Sequence, residues 1–542
     1  MSAAPTPDLA STIALMIRAA REAINLGSFE VAETLCQEAL SLDPAGHAQK
    51  LLMGRIKFIQ KDFILAQVYL EQALTFVPND AVALLLLARC HRQFQRWPQA
   101  IEFFIRAFSI RPATAAEQAE LGHCYGNSGQ HAEAAACFAR SVGLDSKNPE
   151  VWNDLGSSQI ELGDLAAAQK SFEAALTLQP AAVEPWRNLA LVNEWGGRPD
   201  ATLDAHDHLV ALRPDDAAAK QKRGVTRLSH GKLIEGWTDY RARFVNPAHK
   251  GWHGGIPKPM WDGVASLDDK GILVWSDQGL GDQILVASML SDVVAAAKCV
   301  VFACEPRLIS LMQRSFLTVR VVSLLDIPYG RVDLADVDVQ ASVSELGPAF
   351  RPAIERFSSH VGYLKADADK VVQLKARYAA LPGAGPIVGL SWHSTNELAA
   401  GNKSVALDQW APILRTPGVR FVCLQYGDVA AEVQTVATKL GVTIFVDPAV
   451  DAIKDVDLFA AQVAAMDVVV STSNTTVHMA GALNVPTLCL TPRVEGRPWY
   501  WFVGREMSPW YPRVRHIWQT KRRHWTDVIE RTAQALSAQV NI

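Results

Sequence analysis

The strongest constraint on this 542-residue chain is a repeat: between residues 13 and 246 the same residue types return every 34 positions. Pro44, Pro78, Pro112, Pro180 and Pro214 share one phase. Counting back from them, Ala32, Ala66, Ala100, Ala134 and Ala168 fall in register. So do the bulky Cys36, Leu70, Phe104, Phe138 and Phe172, and the small Ala39, Ala73, Ala107, Ser141 and Ala175. Gly54, Gly122, Gly156 and Gly224 recur earlier in the period, with Trp152 and Trp186 at a matching position. Such a pattern predicts stacked pairs of antiparallel helices. Small residues let two helices approach, large ones fill the gap between pairs, and proline stops the second helix.

A 34-residue period is that of a tetratricopeptide array, so residues 1–246 are expected to form an α-helical tetratricopeptide solenoid whose concave face binds a polypeptide. The copies at 183–216 and 217–246 are degenerate, as expected where an array meets another domain. A Gly- and Pro-rich linker, 247–270, then ends the periodicity. Short apolar runs follow, each with an amphipathic stretch behind it: GILVWS, CVVFAC, VRVVSLL, VDVQAS, PIVGLSW, VRFVCLQ, VTIFVD, DVVVST and VPTLCLT. Unbroken apolar strands belong to parallel sheets covered on both faces. Two sets of them predict an α/β module of two doubly wound, Rossmann-like lobes, 271–385 and 386–542, with a cleft between.

Bulk composition narrows the function. With 49% apolar and 20% charged residues the chain is not a disordered polymer, and a net charge of −4 excludes a basic nucleic-acid binder. No run of about eighteen apolar residues suggests a membrane span, and the first residues lack the pattern of a signal peptide. The eight cysteines are scattered without a CxxC pair, so neither structural zinc nor a disulfide framework is expected. The cytoplasm is the natural compartment.

Chemistry in such sheets belongs to the turns at the carboxyl ends of the strands. The first is WSDQGLGDQIL, where Gly279 and Gly281 allow close backbone approach and Asp282 opens a helix. Asp282 is either a general base or a cap for orphan amides. The helix terminus would lower its pKa, and burial beneath an acceptor would act oppositely. The second region, LSWHSTNELAAGNKSVALDQW, offers Lys403 as a partner for a donor phosphate and His393 as a loop histidine. Gln425, closing the VRFVCLQ run, joins the donor-binding candidates. The third, DVVVSTSNTTVHMAGALNVPTLCL, ends a strand at Ser471 and begins a helix at Ser473, Asn474, Thr475 and Thr476, with His478 inside it. Amides at that helix start, with the hydroxyls, suit phosphate or sugar. Two Asp-x-Asp strings, Asp336–Asp338 and Asp455–Asp457, read as structural, so no metal or cofactor is expected. Trp499, Trp501, Trp510 and Trp518 are expected to anchor the final helix.

Together QGLGDQ, GLSWHSTN with NKSV, SNTTVHMAGALNVPTLCL and SPWYPRVRHIW, behind the repeats and the junction GKLIEGWTDYRARF, resemble the tetratricopeptide-linked glycosyltransferases of bacteria. Their catalytic half is a GT-B fold akin to the heptosyltransferases. The resemblance implies a metal-independent transfer from a nucleotide sugar to Ser or Thr of a flagellin-like protein held in the repeat groove. It also implies Asp282 as base, Lys403 on donor phosphate, and Ser473, Asn474, Thr475 and His478 in the donor pocket. Where heptosyltransferases carry Asp-Thr, this chain has Ser473-Asn474, which argues against ADP-heptose. Some members of the group it resembles glycosylate flagellin from CMP-activated nonulosonic acids such as pseudaminic acid, and by analogy the resemblance extends to such a donor. Alternatives are a non-catalytic scaffold with a decayed GT-B half, or a transferase acting on lipopolysaccharide or another glycan.

Overall fold

The computed structural model describes residues 8–245, 256–276, 278–357, 362–394, 400–521 and 524–540. The first part of the 247–270 linker and residues 395–399 of the second candidate loop lie outside them. The chain divides into two compact units, Met1–Gly196 and Gly197–Ile542.

Among the described residues of the first unit, helices run in succession from Leu9–Asn25 to Val183–Trp195. The repeat positions do what their sizes require. Ala32, Ala66, Ala100, Ala134 and Ala168 are fully buried, with Leu70, Phe104 and Phe172 beside them. Each repeat glycine receives the bulky residue of its partner helix: a Cβ on Gly54 would lie 2.7 Å from Leu70, on Gly122 2.8 Å from Phe138, and on Gly156 2.6 Å from Phe172. Helix starts are capped by Asp62, Asp80, Asn148 and Asp164, and by Thr114 with Glu117 in a reciprocal capping box.

A further 34-residue phase joins the two helices of each repeat. Gly27, Lys61, Gln95, Gly129, Gly163, Gly197 and Gly231 all have positive φ, between 55° and 79°. That left-handed residue lets the chain reverse between helices, and glycine takes the conformation without a Cβ clash.

The second unit opens with three helices in the same phase, Pro199–Leu212, Ala217–Ser229 and Leu233–Tyr240. The repeat phase thus continues to Tyr240, while the compact units divide at Gly196 because these last helices are built onto the α/β half. Trp237 is fully buried against Gly347, donates its indole N–H to Arg351 O at 3.1 Å, and meets Trp499 edge-on at 5.1 Å.

All nine apolar runs are strands. β1 (Gly271–Trp275), β2 (Cys299–Cys304), β3 (Arg320–Ser323) and β4 (Val339–Ala341) form a parallel sheet in the order β3-β2-β1-β4. β5 (Ile387–Ser391), β6 (Arg420–Cys423), β7 (Ile444–Phe445), β8 (Val468–Thr472) and β9 (Thr487–Thr491), with β10 (Val514–Trp518), form a second in the order β10-β9-β8-β5-β6-β7. The VRHIW run that makes β10 was not anticipated as a strand. Strand order reverses beside β1 in the first sheet and between β5 and β8 in the second, the places where such sheets open a crevice. No helix among the described residues is long and apolar enough to cross a membrane.

Trp499, Trp501 and Trp510 do not anchor the final helix. They pack in the core around Trp237, Phe357 and His478, while the final helix, Thr526–Val540, packs through Ile529 and Leu536 beside Leu407, Trp410 and Leu414.

Candidate active site

The site is built where the switch points of the two sheets meet. Register pairs Ser391 with Ser471 at the ends of β5 and β8. Beyond β8, Asn474 caps the helix Thr475–Ala482 by accepting from the Thr476 amide at 2.9 Å. Its amide nitrogen donates to Ser391 Oγ (2.8 Å) and to the His393 carbonyl (3.1 Å). Gln425 holds the same strand end: its oxygen accepts from Ser391 Oγ and from the amides of Trp392 and His393 at 2.8–3.1 Å. Ser473 accepts the Trp501 indole N–H at 2.7 Å, and Thr476 donates to Ser391 Oγ at 3.4 Å. Gln425, Asn474 and Thr476 therefore converge on the end of β5, and Ser473 holds Trp501.

Across from them, Asp282 lies in the first turn of the helix Leu280–Ala287, which follows β1 with Gly279 as its exposed N-terminal neighbour. Gly281 brings this helix against the 475–482 helix: a Cβ there would stand 2.7 Å from the His478 ring. The close approach is between two helices of the protein. Beside Asp282 sits Gln278, and the amide orientation that satisfies both of its ends has Nε2 donating to Asp282 Oδ1 at 3.0 Å.

Lys403 ends a short helix, Ala400–Lys403, is 9% exposed, and has no hydrogen-bond or ion-pair partner among the described residues. Burial pushes its pKa below the ordinary lysine value, an effect that the negative charge of Asp282 partly offsets. Its charge also reaches His478. A largely desolvated lysine without a direct ion pair favours the arrival of an anion. Thr475 is half-buried, and its hydroxyl has no hydrogen-bond partner among the described residues.

His478 is enclosed. Its Nδ1 meets Tyr511 OH at 2.9 Å, its Nε2 meets Tyr500 OH at 3.2 Å, and its ring stacks on Trp501. Burial drives its pKa down to about 3, so the imidazole is neutral and orients two buried tyrosines whose own pKa values rise far above 10. His393 is half-buried beside Tyr426, its pKa lowered by burial. A cavity of about 470 Å³ opens at the ends of β6 and β7, lined by Gln425, Tyr426, Asp447, Ile453 and Gln462 among others.

The Asp-x-Asp strings have structural work: Asp336 pairs with Arg320, Asp338 accepts from the Gly271 amide, Asp455 caps a helix, and Asp457 binds Arg314. Among the described residues, no three His, Cys, Asp or Glu converge on a metal position. Gln278, Tyr500 and Tyr511 are not among the candidates that the sequence offers. Gln278 stands inside QGLGDQ, and the tyrosines inside the C-terminal aromatic stretch, where polar handles on buried rings were the available signal.

Comparison with known proteins places the repeats independently. The tetratricopeptide repeat family matches residues 57–121, 118–148 and 149–181. Protein FlbA of Caulobacter vibrioides is 30% identical over 533 residues, covering 95% of this chain and 88% of that one. Among solved structures, YrrB, described as a TPR protein with an unusual peptide-binding site, is 16% identical at a TM-score of 0.33 over 35% of this chain and 97% of its own. Pseudomonas aeruginosa pilF is 15% identical at a TM-score of 0.33, over 40% and 98%.

Proposed function

The chain belongs to the family of the Caulobacter Protein FlbA, and on that premise we propose that its α/β half is a GT-B-type glycosyltransferase acting on a protein held by the repeats. The donor is a nucleotide sugar, with a CMP-activated nonulosonic acid as the leading candidate, and the acceptor is a Ser or Thr hydroxyl of a flagellin-like protein. The observation that carries the reading is Lys403, a largely buried lysine with no direct hydrogen-bond or ion-pair partner among the described residues, whose charge interacts with that of Asp282. One group suits a departing phosphate and the other an incoming hydroxyl.

In the proposed reaction the acceptor oxygen bonds to the anomeric carbon while its proton passes to Asp282. The bond from that carbon to the phosphate oxygen breaks, and the nucleotide leaves with the electron pair. Lys403 and the Thr475 hydroxyl meet the phosphate charge, and the nucleoside enters the cavity beside Gln425. Gln425, Ser473, Asn474 and Thr476 hold the strand ends and helix start in place, and His478 sets the tyrosines behind them.

A thermal-shift screen of the full chain against CDP-, CMP-, UDP-, GDP- and ADP-linked donors identifies the nucleotide. Transfer to purified flagellin is then followed by intact-protein mass spectrometry. One donor class should stabilise the protein and be consumed, and Asp282→Ala should bind it equally while transferring roughly a hundredfold more slowly. Binding without transfer, or transfer only to a glycan, would overturn the reading.

A further inference from the structure

The turn before Asp282 is tied to the last helical repeat. Tyr240 ends the Leu233–Tyr240 helix, and Arg243 follows in the 3-10 turn Arg241–Phe244. Arg243 is fully buried, lies over the rings of Tyr240 (4.8 Å) and Phe244 (4.5 Å), and donates to Tyr240 OH at 3.1 Å. Tyr240 is wedged between Trp237 and Trp499. Both groups aim donors at one atom: the Gln278 amide oxygen accepts from the Tyr240 hydroxyl at 3.0 Å and from Arg243 Nη1 at 2.5 Å. With its oxygen so committed, the amide has one orientation, and its NH2 donates to Asp282 Oδ1 at 3.0 Å.

We propose that Tyr240 and Arg243 are positioning residues for Asp282, acting through Gln278, so that the last repeat is a working part of the transfer site. The proposal rests on the transferase reading for its function but not for its geometry. The Lys403 ammonium favours ionised Asp282, and Tyr500 and Tyr511, which its charge also reaches, stay protonated; a fixed N–H donor favours the ionised form further, because the protonated acid gains less from it. The amide also fixes the rotation of the carboxyl group. The device thus holds Asp282 ready to take a proton, and it does so from a helix of the repeat array. A bond to a charged acceptor is strengthened when its donor is polarised from behind, and Arg243 supplies that polarisation.

The test uses the full-length protein and the variants Gln278→Ala, Gln278→Glu and Tyr240→Phe, with folding checked by circular dichroism. Titration of Asp282 is followed by carbon NMR of aspartate-labelled protein, its resonance assigned by loss in Asp282→Asn. The midpoint should rise by about one pH unit in Gln278→Ala, further in Gln278→Glu, and less in Tyr240→Phe. The acid limb of the kcat profile should move in the same order, with kcat down roughly tenfold in Gln278→Ala and KM for the donor unchanged. A merely structural role would lower stability without ordering the midpoints. Unchanged midpoints in a protein that transfers sugar overturn the positioning role and leave the transferase reading intact. Shifted midpoints in a protein that transfers nothing uphold the positioning and overturn the transferase.

Discussion

Mild acid should unfold the Gly197–Ile542 unit before the first unit, because it encloses neutral histidines. His206, His478 and His516 are each less than a tenth exposed. Burial lowers their pKa values from the ordinary 6.5 to about 4, about 3 and about 3 respectively. In the unfolded chain each imidazole takes a proton below 6.5, whereas in the folded unit it does not until pH 3–4. The unfolded state binds more protons across that window, so stability is complete above 6.5 and falls as the pH drops. Each site contributes about 1.4 kcal/mol per pH unit, so at about pH 5 the three together cost about 6 kcal/mol. That is comparable with the whole stability of a domain, roughly 5–15 kcal/mol. The window lies above ordinary carboxylate titration, which isolates the histidines. Urea unfolding followed by tryptophan fluorescence between about pH 7 and 5 is the assay. Of fifteen tryptophans only Trp97, Trp152, Trp186 and Trp195 precede Gly197, leaving eleven that report on the second unit. His230, whose pKa burial also lowers to about 4, adds to the same slope, so the unfolding free energy of that unit should fall by about 4–5 kcal/mol per pH unit, and His206→Gln should remove about 1.4 kcal/mol per pH unit of it. A slope below about 1.4 kcal/mol per pH unit, less than one proton, would refute the reasoning.

Three further outcomes follow from single positions. Lys61 and Gln95 occupy left-handed turns that glycine fills elsewhere in the series, so Lys61→Gly and Gln95→Gly should each raise stability by about 0.5–1 kcal/mol in urea unfolding followed by far-UV circular dichroism. Gly156→Ala sets helix propensity, a gain of about 1 kcal/mol, against a Cβ 2.6 Å from the buried Phe172 ring. The overlap should win, for a net loss of about 1–2 kcal/mol in the same assay. Lys403→Ala should weaken nucleotide binding by about 1.5–3 kcal/mol in calorimetry. Because burial lowers the pKa of Lys403 below 10.5, wild-type affinity should fall as pH rises towards that value, and the variant should show no such fall.

What could be read from residues alone was what repetition or an uninterrupted apolar run announces. Ala32, Phe104 and their equivalents announce helix pairs because a stacked repeat imposes the same steric demand each time. The nine apolar runs announce strands because both faces of a parallel sheet are covered. The glycine turn phase was also present, but Lys61 and Gln95 interrupt it, and a φ angle leaves no mark on a lysine. β10 was hidden because VRHIW alternates burial with exposure at Arg515 and sits among aromatics. The polar residues at the site were legible as hydrogen-bonding groups but not in their partners. Ser473, Asn474 and Gln425 read as hands for a ligand, and their protein partners, Trp501, Ser391 and the backbone at 392–393, were not foreseeable. Such satisfaction depends on chain segments some thirty to eighty residues away, which spacing cannot reveal.

The place where the repeats become inseparable from the sheets also governs how this protein can be rearranged in descent. Residues 199–240 share a core with the α/β half through Trp237 and Tyr240, while the compact boundary lies at Gly197, itself one of the left-handed turns. A recombination joint at that glycine exchanges the preceding repeats as a cassette and leaves the buried aromatic seam uncut. A joint placed at the end of the repeat count, near residue 246, severs Trp237, Tyr240 and Arg243 from the rings and the amide they hold. New repeat surfaces are therefore inherited most cheaply as blocks ending at Gly197, and the last repeat descends with the α/β half.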